Sequence, residues 1–143
     1  MGAAFCVDPE GVDWERHGAR LMADAPGVHV DLSYWSEAAL PGSLRRADVL
    51  EKLTALLVEF PVLRTRLLYG SDWTMIGREP RHEGYLEVTM RALADAGLDE
   101  AGKAAVMGGN AHRFLGLDGA TMQRQRLARF FGQGHAFEAL FPA

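Results

Sequence analysis

The chain of 143 residues is 48% hydrophobic and 24% charged, a composition typical of a soluble globular domain that can bury a core. Its formal net charge of -4 leaves no excess of basic residues to hold a phosphate backbone, so we expect no nucleic-acid partner. No apolar run approaches the roughly 20 residues that cross a bilayer, so we expect no membrane partner either.

The cysteine content and the first residues bear on cellular location. Cys6 is the only cysteine, so it cannot form an internal disulfide, and no Cys/His cluster has the spacing of a structural zinc site. The segment from Met1 to Cys6 has neither the basic residues nor the long apolar core of a signal peptide. These features favour a cytoplasmic protein.

The first half of the chain is predicted to form a helix, a strand and a second helix. Residues 14–25 are predicted to be helical, and residues 4–7 are a candidate remnant of an earlier strand. Residues 27–33 alternate apolar and polar side chains after a Pro-Gly break, which predicts a strand. A second helix is predicted over residues 46–60, because its apolar side chains recur every three or four residues and Pro61 ends it.

The second half opens with a short apolar run that ends in small and polar residues. Residues 67–73 fit a buried parallel strand followed by a functional loop. A helix over residues 83–96 should follow, ended by Gly97. Strands and helices therefore alternate, with connections long enough for right-handed crossovers, which indicates an α/β architecture. No repeat or linker divides the chain, so we treat residues 1–143 as one unit.

The last third of the chain is predicted to be helical. Asp99 is placed to cap a short helix that reaches Met107. The sequence Gly108-Gly109-Asn110 superficially resembles a phosphate-binding loop, but a break between two helices, with Asn110 as the cap of the second, explains it better. A final amphipathic helix is predicted over residues 121–131.

Three segments of the sequence together resemble a known family. They are Pro26-Gly27-Val28-His29-Val30-Asp31-Leu32-Ser33, Arg66-Leu67-Leu68-Tyr69-Gly70-Ser71-Asp72-Trp73 and Gly108-Gly109-Asn110-Ala111-His112-Arg113-Phe114-Leu115-Gly116-Leu117. In order and spacing they are similar to the seventh strand, the eighth strand and the closing helix of the amidohydrolase-related metal-dependent hydrolases and decarboxylases. The resemblance implies the C-terminal segment of a (β/α)8 TIM barrel, with two to three parallel strands and their helices over residues 14–117 and a helical extension over residues 118–143.

The resemblance also implies a catalytic position at the end of the second strand. Asp72 matches the family's aspartate at the carboxyl end of the last strand, which touches the catalytic metal and takes a proton from metal-bound water. Zinc suits that chemistry, because it lowers the pKa of bound water to about 7 and a nearby carboxylate can accept the proton. Trp73 and Ser33 are then expected to contact a small-molecule substrate.

Most of the family's metal ligands have no counterpart in the chain. The His-x-His pair of the first strand, a ligand on a middle strand and the histidine of the sixth strand are missing, and Asp8 stands roughly where that last histidine is expected. A complete TIM barrel takes about 200 residues or more, so the chain supplies only its last two or three units. We therefore expect the isolated chain to be inactive and to hold divalent metal weakly or not at all.

An interrupted parallel sheet should leave strand edges and an apolar inner face exposed, so we expect the chain to form a homo-oligomer or to pair with a complementary barrel segment. Three interpretations stay open at this stage. The chain is the C-terminal part of a metal-dependent hydrolase or decarboxylase, a non-catalytic α/β interaction module derived from one, or an incomplete reading frame whose partner piece is encoded upstream.

Alternation along the strands predicts which side chains share a face. The apolar residues Val28, Val30 and Leu32 should meet helices, so His29, Asp31 and Ser33 should face the barrel interior. In the next strand Leu68, Gly70 and Asp72 share one face. Each candidate also has a structural interpretation: Asp72 as a helix cap, Trp73 as packing, and His29 as a buried histidine with its hydrogen bonds satisfied.

Overall fold

A computed structural model of the chain describes residues 13–33, 45–78 and 82–131. The predicted strand remnant at residues 4–7, the candidate ligand Asp8 and the end of the helical extension lie outside the described residues.

Helices α1 (Trp14–Asp24) and α2 (Arg46–Glu59) confirm the first two predicted helices to within one residue at each end. Helix α1 begins at Trp14 because the Asp13 carboxylate accepts the backbone N–H of Arg16 and so caps the first turn. Helix α2 ends before Pro61 and buries four side chains at helical spacing, those of Val49, Leu53, Leu56 and Leu57.

Two short strands, β1 (Val30–Asp31) and β2 (Leu67–Leu68), pair in parallel, with Val30 opposite Leu67 and Asp31 opposite Leu68. The N–H of Leu32 extends the ladder by donating to the Leu68 carbonyl oxygen at 2.9 Å. Parallel strands need a crossover connection, and α2 with the short helix α3 (Leu63–Arg66) supplies it. Within the described residues the sheet has these two strands, so the α/β class is confirmed at this level.

Both strands are shorter than the seven residues that the pattern predicts, because local polar groups redirect the backbone. After β1, the Ser33 N–H donates to the Asp31 carboxylate at 2.9 Å, which turns the chain away from the ladder. After β2, Asp72 adopts a left-handed backbone (φ 47°) and helix α4 (Trp73–Ile76) begins.

The following helices agree with the predicted order. A 3-10 turn (His82–Gly84) leads into α5 (Tyr85–Asp95), and Gly97 takes the positive φ of 86° that ends this segment. The Asp99 carboxylate caps α6 (Glu100–Ala104) by accepting the Gly102 N–H at 2.8 Å. Near the end of the described residues, α8 (Met122–Phe131) forms as predicted.

The predicted helix break before Asn110 is wrong. Helix α6 continues through the π-helical segment Ala105–Gly109 into α7 (Asn110–Phe114), so Asn110 lies inside a continuous helix and does not cap it. Its side chain is fully buried and donates to the carbonyl oxygens of Arg64 (3.0 Å) and Leu67 (2.7 Å). Asn110 therefore satisfies two carbonyl groups at and just before β2, which the sequence pattern did not indicate.

The same helix covers the edge of β2 that faces away from β1. The Tyr69 N–H donates to the Val106 carbonyl oxygen at 2.9 Å, and the Asn110 side-chain amide donates to the Leu67 carbonyl oxygen. Successive strand residues point their backbone groups to opposite sides. Leu68 therefore hydrogen-bonds to β1, whereas its neighbours Leu67 and Tyr69 hydrogen-bond to the helix. We expected an exposed strand edge from the sequence, but this edge of β2 is hydrogen-bonded to the helix.

The hydrophobic core collects side chains from helices α1 to α5, the π segment and one face of the sheet. Leu32 is fully buried, and Val28 and Val30 pack against the core, as the alternation predicts. The fully buried apolar side chains include Ala19, Met22, Leu53, Leu56, Leu57, Leu63, Leu67, Leu93 and Val106. None of the helices in the described ranges has the length and apolar character needed to span a membrane.

Candidate functional site

The carboxyl ends of β1 and β2 carry the polar residues that the sequence singles out. Asp31, the last residue of β1, is exposed, and its carboxylate accepts the backbone N–H of Ser33. Partial burial raises the pKa of Asp31, but hydrogen bonds from the Ser33 hydroxyl and N–H outweigh it and hold the pKa below its usual range. Asp31 therefore stays ionised at neutral pH.

Gly70 lets the chain after β2 approach this pair closely. A Cβ atom at Gly70 would overlap the Ser33 hydroxyl oxygen and lie 3.4 Å from Cγ of Asp31. Gly70, Asp31 and Ser33 therefore meet on one face of the sheet, whereas Leu67 and Tyr69 pack into the core on the other. This agrees with the predicted alternation in both strands.

Asp72 is the one non-glycine residue with a positive φ in the described part of the chain (φ 47°, ψ 57°). It stands at the N-cap of α4, and its backbone carbonyl accepts the N–H groups of Met75 (2.8 Å) and Ile76 (3.0 Å). The side chain caps no backbone N–H; it is exposed, and its Oδ1 accepts the Thr74 hydroxyl at 3.1 Å. The carboxylate thus remains available to a ligand, and strained backbone of this kind concentrates at functional sites.

Trp73 follows directly and leaves 78% of its surface exposed. Among the described residues, the Trp73 ring is therefore not packed into the core. Helix α4 is anchored instead by Ile76, which is buried in the core. Within the described ranges, the indole ring beside Asp72 is open to solvent.

A zinc ion does not fit the described residues taken alone. A catalytic zinc site draws on three protein ligands, and no group of three or more His, Cys, Asp or Glu side chains lies close enough within these ranges. Asp31 and Asp72 are the carboxylates at the strand ends, and they accept hydrogen bonds from different residues, Ser33 and Thr74. No chemical step through a metal can be derived from this donor set.

His29 points to a different region from the one formed by Asp31 and Ser33. Its ring contacts the ring of Phe114 on α7, with centroids 4.6 Å apart, and the ring is half-buried. We expected His29 to be buried with its hydrogen bonds satisfied. This is wrong for Nδ1, which is buried without a hydrogen-bond partner among the described residues.

Two residues shape this part of the molecule in ways that the sequence pattern did not indicate: Gly70 by a close backbone approach and Asn110 by buried hydrogen bonds. Gly70 had a recognisable signal, because a glycine inside a strand pattern often marks a close backbone approach. Asn110 had none, since its partners lie more than 40 positions earlier in the chain.

Comparison with known protein families gives a match over most of the chain. A family model described as amidohydrolase covers residues 4–117, which include both strands and the helix that runs to Phe114. No curated protein and no solved structure matches the chain.

Proposed function

Because the chain belongs to the amidohydrolase family, we propose that it is the C-terminal part of a metal-dependent hydrolase, with β1 and β2 as the last two strands of a (β/α)8 barrel. Its reaction would be hydrolysis of a C–O or C–N bond or decarboxylation of a small carboxylated substrate. The observation that carries the proposal is the parallel strand pair, whose carboxyl ends bring Asp31 and Ser33 against Gly70 two residues before Asp72. In α/β barrels, active sites lie at this end of the strands.

Asp72 has the role of proton acceptor in this proposal. Its exposed carboxylate is steadied by the Thr74 hydroxyl and by a backbone that two α4 N–H groups fix in place. A carboxylate so placed can take a proton from a water molecule that attacks the substrate. Trp73 and Ser33 would contact the substrate on either side of it, through an apolar ring and a hydroxyl.

Amidohydrolases generally use divalent metals, but the described residues offer too few ligands for one. We propose that the missing ligands belong to a complementary barrel segment or a second copy of the chain, and that the isolated chain is inactive. Such a protein would act on its small-molecule substrate in the cytoplasm. The wall of the substrate site would then be formed only in the completed assembly.

Metal content and zinc titration of the isolated chain test this proposal. After dialysis we expect no stoichiometric zinc by elemental analysis, weak zinc binding, and no turnover of ester, amide or carboxylated aromatic substrates. Asp72→Asn is the matched variant, because it removes the charge and keeps the shape. One tightly bound zinc ion per chain, lost in Asp72→Asn, would show that the chain rebuilds the metal site by itself. That result would refute the proposal that the isolated chain is inactive.

A non-catalytic interaction module is the second candidate, and the covered edge of β2 favours it. Val106 and Asn110 hydrogen-bond to backbone groups at β2. In a closed barrel, those groups would instead pair with the first strand. The DNA immediately before Met1 separates the two candidates. An in-frame segment with a His-x-His motif supports the hydrolase, whereas its absence supports the module.

A further inference from the structure

A cavity of about 470 Å³ lies at the end of the strands opposite to Asp72. The turn before β1 and the helices α3 and α7 form its walls. Its lining residues are Pro26, Gly27, His29, Thr65, Arg66, Arg113 and Phe114. Gly27 precedes β1 and Arg66 immediately precedes β2, so the cavity lies at the amino ends of the strands, away from the site proposed above.

The lining of this cavity is positively charged. It contains two arginines and a histidine and no acidic residue, in a chain whose formal net charge is -4. Arg66 donates through Nη1 to the carbonyl oxygens of Met22 and Ala25 at the end of α1, the latter at 2.9 Å. Arg113 donates through Nη2 to Oδ1 of Asn110. These acceptors are neutral, so they orient both guanidinium groups without neutralising them.

Within the described ranges, neither Arg66 nor Arg113 makes an ion pair with an acidic side chain. Each guanidinium group has five N–H donors in a planar fork, and the hydrogen bonds to Met22, Ala25 and Asn110 use only part of them. The remaining donors suit the two oxygens of a carboxylate or phosphate group, which arginine binds in a bidentate manner.

The rings of His29 and Phe114 form an apolar wall beside this charged site. His29 Nδ1 has almost no accessible surface, so a ligand in the cavity does not reach this atom. The Phe114 ring lies 4.6 Å from the His29 ring and is 52% exposed, so it presents an apolar surface beside the charges.

We propose that this cavity binds a small organic anion. Its carboxylate or phosphate group would meet Arg66 and Arg113, and its apolar part would lie against the rings of Phe114 and His29. The site is independent of the proposed hydrolase function, since it uses other residues at the other end of the strands.

Titration of the isolated chain with benzoate and with phenyl phosphate, followed by two-dimensional amide NMR, tests the proposal. Both probes carry an aromatic ring, and the tighter of the two identifies the preferred head group. We expect saturable shifts at the amides of Gly27, Thr65 and Arg113, and none with the neutral analogue benzyl alcohol. Arg113→Gln should weaken binding roughly tenfold or more, because it removes one charged fork.

Arg126→Gln is the matched control, since Arg126 is exposed on α8 and does not line the cavity. It should leave binding unchanged. Phe114→Ala removes the exposed apolar wall of the cavity and should weaken binding even if Arg113→Gln proves unfolded by its NMR spectrum. Absence of shifts with both anions, equal binding of benzyl alcohol, or equal loss in Arg126→Gln would overturn the proposal.

Discussion

Gly70 determines how closely the two strand ends approach each other. Its missing side chain leaves room for the Ser33 hydroxyl, which in turn holds the Asp31 carboxylate by a hydrogen bond. A single glycine therefore arranges the polar end of the sheet. Asp72, two positions later, has a left-handed backbone conformation. For a residue with a Cβ atom, this conformation raises the free energy of the folded state by about 1–2 kcal/mol. The surrounding hydrogen bonds offset that cost.

Gly70→Ala should destabilise the chain by roughly 1–3 kcal/mol, because the added methyl group must displace Ser33 or separate the strands. Urea unfolding followed by circular dichroism measures this. Gly27→Ala is the control, since nothing lies within 4 Å of a Cβ atom there, and it should change stability by less than about 1 kcal/mol. Equal effects of the two substitutions would contradict the close approach at Gly70.

An ionic network joins helices α1 and α2. Lys52 contacts the buried carboxylate of Glu15 at 2.7 Å and that of Asp13 at 3.3 Å, and Arg16 contacts Asp13 at 3.1 Å. Burial raises the pKa of Asp13, but hydrogen bonds from Arg16 and Lys52 outweigh it and lower the pKa from 3.8 to about 2. Asp13 thus couples the first helix to the second as well as capping it.

A carboxyl group whose pKa falls on folding stabilises the folded chain above its unfolded pKa. The contribution of Asp13 should therefore be complete above pH 3.8 and should be lost as the pH falls toward about 2. The side chain is 37% exposed, so solvent screening reduces its size. Asp13→Asn keeps the helix cap and should flatten this part of the stability profile, measured by urea unfolding against pH. An unchanged slope would contradict the pairing.

The continuous helix from α6 to α7 stabilises β2, because its π segment and Asn110 hydrogen-bond to the strand. Asn110→Ala should destabilise the chain by roughly 2–3 kcal/mol, since the Arg64 and Leu67 carbonyl groups lose a buried donor. Hydrogen exchange at the Tyr69 amide should also accelerate as the edge loosens. Gln125→Ala, on the exposed surface of α8, is the control. Unchanged exchange at Tyr69 would contradict the coupling between helix and strand.

The sequence predicted elements that depend on local pattern and missed those that depend on distant partners. Helix α2 follows from its apolar spacing and the terminating Pro61, both of which are local. Strand lengths were overestimated, because the turn at Ser33 and the left-handed Asp72 depend on side-chain hydrogen bonds that a hydrophobic pattern does not encode. The sequence indicated the face shared by Asp31 and Ser33 but not the cavity around Arg66 and Arg113.

Large apolar side chains on the surface bear on how the whole molecule behaves. Trp73, Phe130 and Phe131 are 78%, 82% and 65% exposed. The adjacent rings of Phe130 and Phe131 and the separate Trp73 ring offer apolar surface for association, so we expect the isolated chain to self-associate or to bind a hydrophobic dye. Size-exclusion chromatography with light scattering tests this. A compact monomer that binds no dye would contradict it and would favour a self-contained module.

Activity of the completed barrel tests the central claim most directly. The chain joined in frame to the coding sequence before Met1 should bind divalent metal and turn over an ester, amide or carboxylated substrate. Asp72→Asn in the joined polypeptide should lower turnover by a factor of roughly 10²–10⁴, because the proton acceptor is lost. An upstream sequence without a His-x-His segment, or a joined polypeptide that Asp72→Asn leaves equally active, would contradict the assignment of this chain as the catalytic C-terminal part of an amidohydrolase.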